Sequence, residues 1–165
     1  MTGPLLQPDA ALLRSVFGNY PSGVAALCAI VDGEPRGFVA TSFSMGTSFD
    51  PPLVMLSVQN SSTTWPVLRH AASIGVSVLG SGHEEACRRL ASRTGDRFEH
   101  LDIVEGAHAE LYLTGAASWI TARPVSEVPA GDHAIVVLEV LAASVHDGIE
   151  PLVYHGSRFR SLAAS

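Results

Sequence analysis

Gly37-Phe38-Val39-Ala40-Thr41-Ser42-Phe43-Ser44, followed five residues later by Asp50-Pro51-Pro52, is the stretch on which the fold turns. Phe38, Ala40, Ser42 and Ser44 alternate with Val39, Thr41 and Phe43, the period of two that a strand imposes on its faces. Small hydroxyls thus project at regular intervals from a stiff platform, one suited to a flat, polar-edged ligand. The segment reads as an edge strand running into a turn. The Pro-Pro pair has no N–H to give a ladder and is expected to carry the chain out of that sheet before Leu53-Val54-Met55-Leu56 begins.

Upstream, Asp9 is placed to cap a helix whose Leu12, Leu13, Val16, Phe17 and Tyr20 share one face, with Pro21 ending it. An apolar strand over residues 23–31, the hairpin turn Asp32-Gly33 and a returning strand over 36–43 form a ribbon. Downstream, residues 53–59 read as a strand, and Asn60-Ser61-Ser62-Thr63-Thr64-Trp65-Pro66 opens a short helix reaching about Ala71. Hydroxyls and an amide gather at its start, where free N–H groups point outward. A strand over 74–79 precedes Ser81-Gly82-His83-Glu84, read as a capping box for a helix over 85–92. After a turn at 94–98, strands are expected over 110–113, 116–121, 134–145 and 152–155. Seven or so strands with three short helices predict a mainly β protein, a closed or nearly closed antiparallel barrel.

A chain of 165 residues, 47% hydrophobic, suits a single domain over 1–165. The greasiest segment, residues 134–143, carries Glu139 and falls far short of the roughly 20 apolar residues a membrane helix needs. Residues 1–8 show no basic cluster and no apolar signal core, so no secretory address is expected and the cytoplasm is the default location. Cys28 and Cys87 are expected to be unpaired. A net charge of −6 and a pI near 5.5 argue against a nucleic-acid partner. All 10 basic residues are arginine, which excludes lysine Schiff-base chemistry and a Walker A loop. A phosphate must then be held by arginine, hydroxyls or backbone N–H groups. A mean hydropathy of +0.26 is high for a small domain and predicts burial against a second copy, a homodimer.

His83-Glu84-Glu85-Ala86-Cys87 begins like a zinc-binding helix but has Cys87 where the second histidine belongs, which favours a surface cap over a metal site. Gly115 has no GxGxxG neighbourhood, and no serine sits in a GxSxG elbow. Gly131-Asp132-His133 places a histidine where a turn enters a strand, suited either to a ligand or to solvent. Arg97-Phe98 allows an ion pair with Asp96 and a buried ring, or a phosphate clamp beside an aromatic wall. Residues 152–159 combine Tyr154, His155, Gly156 and Arg158 more closely than a plain terminal strand requires.

In chain order, Gly37-Phe38-Val39-Ala40-Thr41-Ser42-Phe43-Ser44, Ser48-Phe49-Asp50-Pro51-Pro52-Leu53, Ser62 to Trp65, Asp96-Arg97-Phe98, Gly131-Asp132-His133 and Pro151 to Gly156 resemble the motifs of the flavin reductase family. These are FMN-binding split barrels, the reductase partners of two-component flavin monooxygenases. Arg14 to Gly18, Pro21 to Val24 and Arg158-Phe159 extend the resemblance over nearly the whole chain.

The resemblance implies a homodimeric antiparallel split β-barrel that passes a hydride from C4 of NADH, or of NADPH, to N5 of free FMN or FAD, and hands the reduced flavin to a separate monooxygenase by diffusion. It implies that Gly37, Phe38, Val39, Ala40, Thr41 and Ser42 run beside the flavin ring, with Ser57, Val58 and Gln59 near it. Ser62 and Thr64 are to meet the ribityl chain and phosphate, completed by Arg97 and Phe98. His133, the candidate catalytic residue, and Tyr154, His155, Gly156 and Ser157 are to bound the nicotinamide side. Asn60 stands where many relatives carry a lysine or arginine, and Thr41-Ser42 where Ala-Asn or Val-Asn is common. Delivery by diffusion calls for flavin affinity near micromolar, about −8 kcal/mol. A barrel that keeps its flavin as an oxidase or carrier is the nearest alternative; a haem module using His133 or His155 is a more distant one.

Overall fold

Helix α1 (Ala10–Gly18) is followed by β1 (Ser22–Gly23), β2 (Ala25–Val31), β3 (Glu34–Ala40), β4 (Ser44–Phe49) and β5 (Pro52–Gln59). Then come α2 (Trp65–Leu68), β6 (Ile74–Val78), a 3-10 turn at Ser81–His83, α3 (Glu84–Ala91), β7 (Ile103–Glu105) and β8 (Leu111–Leu113). The chain ends in the long pair β9 (Ser118–Ala130) and β10 (His133–Val145), then β11 (Val153–His155) and β12 (Arg158–Arg160). The computed structural model describes residue 5 and residues 7–162, so most of the segment read for a secretory address lies outside the described residues.

Seven strands form one antiparallel sheet in the order β3-β2-β6-β9-β10-β5-β4. β3 and β4 lie at its opposite edges although only residues 41–43 separate them. A flat sheet of this size, with strands ~4.8 Å apart, would hold its edges about 29 Å apart. The linker reaches about 10–14 Å even when extended. The sheet therefore rolls into a barrel split along the β3/β4 seam, in agreement with the mainly β, antiparallel expectation. Ser42 spans that seam: its Oγ accepts from the Ser57 N–H at 3.1 Å and donates to the Ser57 carbonyl at 3.0 Å.

Burial follows from this curvature. Ala25, Leu27 and Ala29 of β2 point into the barrel with Val54, Leu56, Ile74, Val76, Val136 and Leu138. Ala26 and Cys28 point outward, but into a second core made with Leu90 of α3, Leu111, Leu113 and Leu152. A strand covered on both faces explains the unbroken apolar run of β2. Burial pushes the Cys28 thiol up to about 12 and also raises that of Cys87, where neighbouring Arg88 opposes the shift. Both cysteines are free, as expected.

β8 lies across the outer face of β6. Ser77 Oγ accepts from the Leu113 N–H at 2.9 Å, and at Gly75 the backbones approach so closely that a Cβ would stand 2.3 Å from the Leu111 carbonyl oxygen. Beside them, buried Glu110 accepts from Ser73 Oγ at 3.1 Å and from the His108 N–H at 2.8 Å. Burial pushes its carboxyl up, but these hydrogen bonds outweigh burial and hold it below the usual glutamate range. A carboxylate held down in this way stabilises the fold above its unfolded-state pKa, near 4.3, and the contribution is lost as pH falls through the lower folded-state value. Glu110→Ala strands two donors and is expected to cost about 2–3 kcal/mol at pH 7. Thermal melts at pH 7 and pH 3 check this: the gap between variant and wild type narrows at the lower pH.

Several expectations are corrected. The Pro-Pro pair does not take the chain out of the sheet. Asp50 and Pro51 make a tight turn, Pro52 pairs with Phe49, and residues 44–49 form the unexpected strand β4. A proline at the first position of a strand forfeits little. The strand expected over 116–121 runs on through Pro124 and Pro129 to Ala130. β6 flanks β9 only as far as Ala122, so beyond it that edge is bare and a missing N–H breaks no ladder there. The Ser81–Glu84 capping box is absent: the His83 ring caps instead, Nδ1 accepting from the Gly80 N–H at 3.0 Å while Nε2 donates to the Thr114 carbonyl at 2.9 Å. Asp9 does cap α1, accepting from the Leu12 N–H at 2.8 Å. Yet α1 buries none of its residues, and Val16, Phe17 and Tyr20 face outward.

Candidate active site on the barrel seam

A groove of about 600 Å³ opens along the seam, within the size range of small-molecule sites. Its floor comes from Phe38 to Ser42, the end of β3 and the crossing linker, and from Ser57, Val58 and Gln59 at the end of β5. Since Ser42 Oγ is committed to the Ser57 backbone, the group Ser42 keeps for a ligand is its own N–H. Gly37 lies just behind this floor. A Cβ there would stand 2.5 Å from Cys28 Sγ and 3.0 Å from the Phe98 ring, so only glycine lets β3 lie this close to the second core.

One lip is a run of hydroxyls, Ser61 to Thr64. Ser62 Oγ accepts from the Trp65 N–H at 3.1 Å and turns the chain into α2. That helix is a single turn, so an anion at this lip would be met by side chains rather than by a helix dipole. Arg97 supplies the charge. Its Nη1 donates to Thr64 Oγ1 at 2.8 Å and to the Gly37 carbonyl at 3.3 Å. Thr64 Oγ1 therefore accepts a hydrogen bond from the arginine and is free to donate its own into the groove. The ion pair considered between Arg97 and Asp96 does not form: Asp96 accepts from the Phe98 N–H at 2.8 Å, and the half-buried Phe98 ring packs on the second core.

The groove is also lined by His133, first residue of β10, paired with Gln59 across the sheet. Its Nδ1 stands 2.7 Å from Asp132 Oδ1, and this hydrogen bond holds the Asp132 carboxyl below its ordinary range. An ionised carboxylate only accepts, so the ring donates from Nδ1 and keeps Nε2 for the groove. Asn60 braces the same turn: its N–H donates to the Asp132 carbonyl at 2.9 Å and its amide to the Gly131 carbonyl at 3.2 Å.

The structure thus gathers residues 38–42 and 57–59 with Ser62, Thr64, Arg97 and His133 around one groove, with Gly37 and Phe98 directly behind it. It does not bring Tyr154, His155, Gly156 and Ser157 to the groove of the single chain. β11 pairs with β1 and β12, and the Gly156 N–H donates to the Gly18 carbonyl at 2.7 Å. Ser61, Thr63, Leu90, Ala91 and Arg93 line the groove without having been singled out in the sequence. Ser61 and Thr63 were within reach of the hydroxyl count, but a side of α3 was not, because nothing local says what a helix will cover.

A split barrel with a hydroxyl lip, an anchored arginine and an oriented histidine along its seam has the features that suit a flat, phosphate-bearing ligand beside a second small molecule. Residues 17–163 match the model of the flavin reductase like domain. The chain belongs to the flavin reductase family. It is 32% identical to the actinorhodin polyketide dimerase of Streptomyces coelicolor over 95% of this chain and 89% of that protein. Its structure superposes on the NADH:FAD oxidoreductase SgcE6 of Streptomyces globisporus with a TM-score of 0.89 and 32% identity, over 99% of this chain and 100% of the other. On BorF, the flavin reductase component of a bacterial two-component tryptophan halogenase, it superposes with a TM-score of 0.86 and 31% identity, over 95% and 100% of the chains.

Proposed function

We propose that this protein is an NAD(P)H:flavin oxidoreductase, NADH before NADPH, which reduces free FMN or FAD and releases it to a separate flavin-dependent monooxygenase. The observation that carries this is the seam groove itself, lined by Thr64 with Arg97 bonded to it and by an oriented imidazole at His133. When bound, the flavin supplies the chemistry by taking a hydride from the nicotinamide. The chain's task is placement: backbone N–H groups near Ser42 face the ring edge, and Arg97 and Thr64 fix the phosphate. Holding two reactants at van der Waals distance in a set orientation is worth roughly 7 kcal/mol or more of the barrier. His133 directs its Nε2 toward the nicotinamide side.

Purified protein is expected to oxidise NADH only when FMN or FAD is added and to be nearly colourless. A yellow protein without turnover would make it a flavin carrier instead. His133→Ala is expected to raise the KM for NADH about 5- to 10-fold, the worth of one hydrogen bond, with the flavin KM within about twofold. Steady-state titration of each substrate checks this, and an unchanged NADH term removes His133 from the site.

The same reading takes residues 1–165 as one flavin reductase-like domain working as a homodimer in the cytoplasm. Exposed Val16, Phe17, Tyr20, Met45 and Phe49, the last 90% exposed, offer the apolar surface for a second copy. Sedimentation at micromolar concentration tests the dimer, and a monomer there refutes it. Among the described residues no helix is long and apolar enough to cross a membrane.

A further inference from the structure

Arg93 lines the groove together with Arg97, and these are the only arginines that do so among the described residues. Their situations differ. Arg97 is half-buried and tied by Nη1 to Thr64 and Gly37, leaving Nη2 and Nε for an anion. Arg93 is exposed and makes no ion pair among the described residues. The acidic side chains closest to it in sequence are engaged elsewhere: Glu85 with Arg88 and Arg89, Glu99 with Arg89, Asp96 with the Phe98 N–H. The turn joining the two arginines is fixed, with Ser92 Oγ donating to the Thr94 carbonyl at 2.8 Å and accepting from the Thr94 N–H at 3.2 Å.

An unpaired guanidinium beside a ligand groove, in a chain of net charge −6, is a site for a second anionic group. We propose that Arg93 holds the outer phosphate of an FAD diphosphate while Arg97 and Thr64 hold the inner one, so that Arg93 sets the preference for FAD over FMN. This rests on the flavin reductase reading. The inner phosphate is common to both flavins and meets the anchored arginine. The second phosphate exists only in FAD, and the exposed, unpaired Arg93 is the groove's remaining cation to meet it.

The test is direct binding, without nicotinamide, of FAD, FMN and riboflavin to wild type and to Arg93→Ala, followed by quenching of flavin fluorescence. The variant is expected to weaken FAD about tenfold, the loss of one exposed charge-assisted hydrogen bond, with FMN and riboflavin changed less than about threefold. Salt should weaken FAD binding more in wild type than in the variant, because the lost attraction is a screened one. Equal losses for FAD and FMN would place Arg93 on the inner phosphate and overturn the proposal. So would unchanged affinity for all three flavins, or a rise confined to the KM for NADH, which would assign Arg93 to the nicotinamide dinucleotide. A wild type that binds none of the three removes the reductase reading and this proposal together.

Discussion

Arg97→Ala is expected to raise the FMN concentration needed for half-maximal NADH oxidation roughly 50-fold, about 2.3 kcal/mol, within the range for a hydrogen bond to a charged group. The maximal rate at saturating flavin is expected to fall less than about threefold, because in the proposed reading Arg97 meets the phosphate and not the reacting ring. The effect exceeds that of an ordinary surface charge for a structural reason. Nη1 is already bound to Thr64 Oγ1 and the Gly37 carbonyl, so the remaining guanidinium edge is presented to the anion without further loss of side-chain freedom. Arg97→Lys recovers little, since a single ammonium cannot brace Thr64 and Gly37 and also meet a phosphate in a fork. Riboflavin is the control. If its KM rises as much as that of FMN, Arg97 acts by holding β3 in place and not by binding phosphate.

Gly75→Ala is expected to be the most damaging small substitution in the barrel. The added methyl would stand 2.3 Å from the Leu111 carbonyl oxygen, 2.8 Å from its carbon and 3.0 Å from the Leu111 nitrogen. All three are backbone atoms, so no rotamer change relieves the clash. β8 must lift from β6, which also pulls the Leu113 N–H away from Ser77 and disturbs the buried Glu110. A loss of at least about 3 kcal/mol follows, at the upper end for overpacking, and would shift the melting midpoint by several degrees or prevent soluble expression. Gly82→Ala provides the contrast, with nothing within 4 Å of the added carbon and an expected change within about 0.5 kcal/mol. A Gly75→Ala protein that melts with wild type would mean that the β6–β8 approach is looser than described.

The barrel was legible where a period of two met strong turn chemistry. The hairpin at Asp32-Gly33, the both-faces-buried β2 and the long β10 all announce themselves locally. β4 did not, because Gly46 at φ +70° interrupts Ser44 to Phe49 and the run pairs irregularly, so it is a strand only where β5 offers it an edge. The extension of β9 was hidden by Pro124 and Pro129, which signal a break to any local rule and are tolerated because β6 ends early. The hydroxyls of the floor and lip were legible as a cluster around the seam strand, whereas Ser57 to Gln59, Arg97 and His133 came to the site through the family resemblance. The contribution of α3 and the turn after it was not, since Leu90, Ala91 and Arg93 come to the groove only through tertiary packing. Residues 154–157 show the converse: a suggestive cluster in sequence that the topology ties to β1 and α1.

The buried thiol behind the seam has a consequence for chemical durability. Reduced flavin set loose in air generates hydrogen peroxide, so an enzyme that releases it works in a corrosive solution of its own making. Peroxide attacks thiolates, and Cys28 lies under Gly37 with its thiol held protonated far above neutral pH and no path to solvent. Burial and a raised pKa therefore keep the sulfur beside Gly37 out of the thiolate form that peroxide attacks.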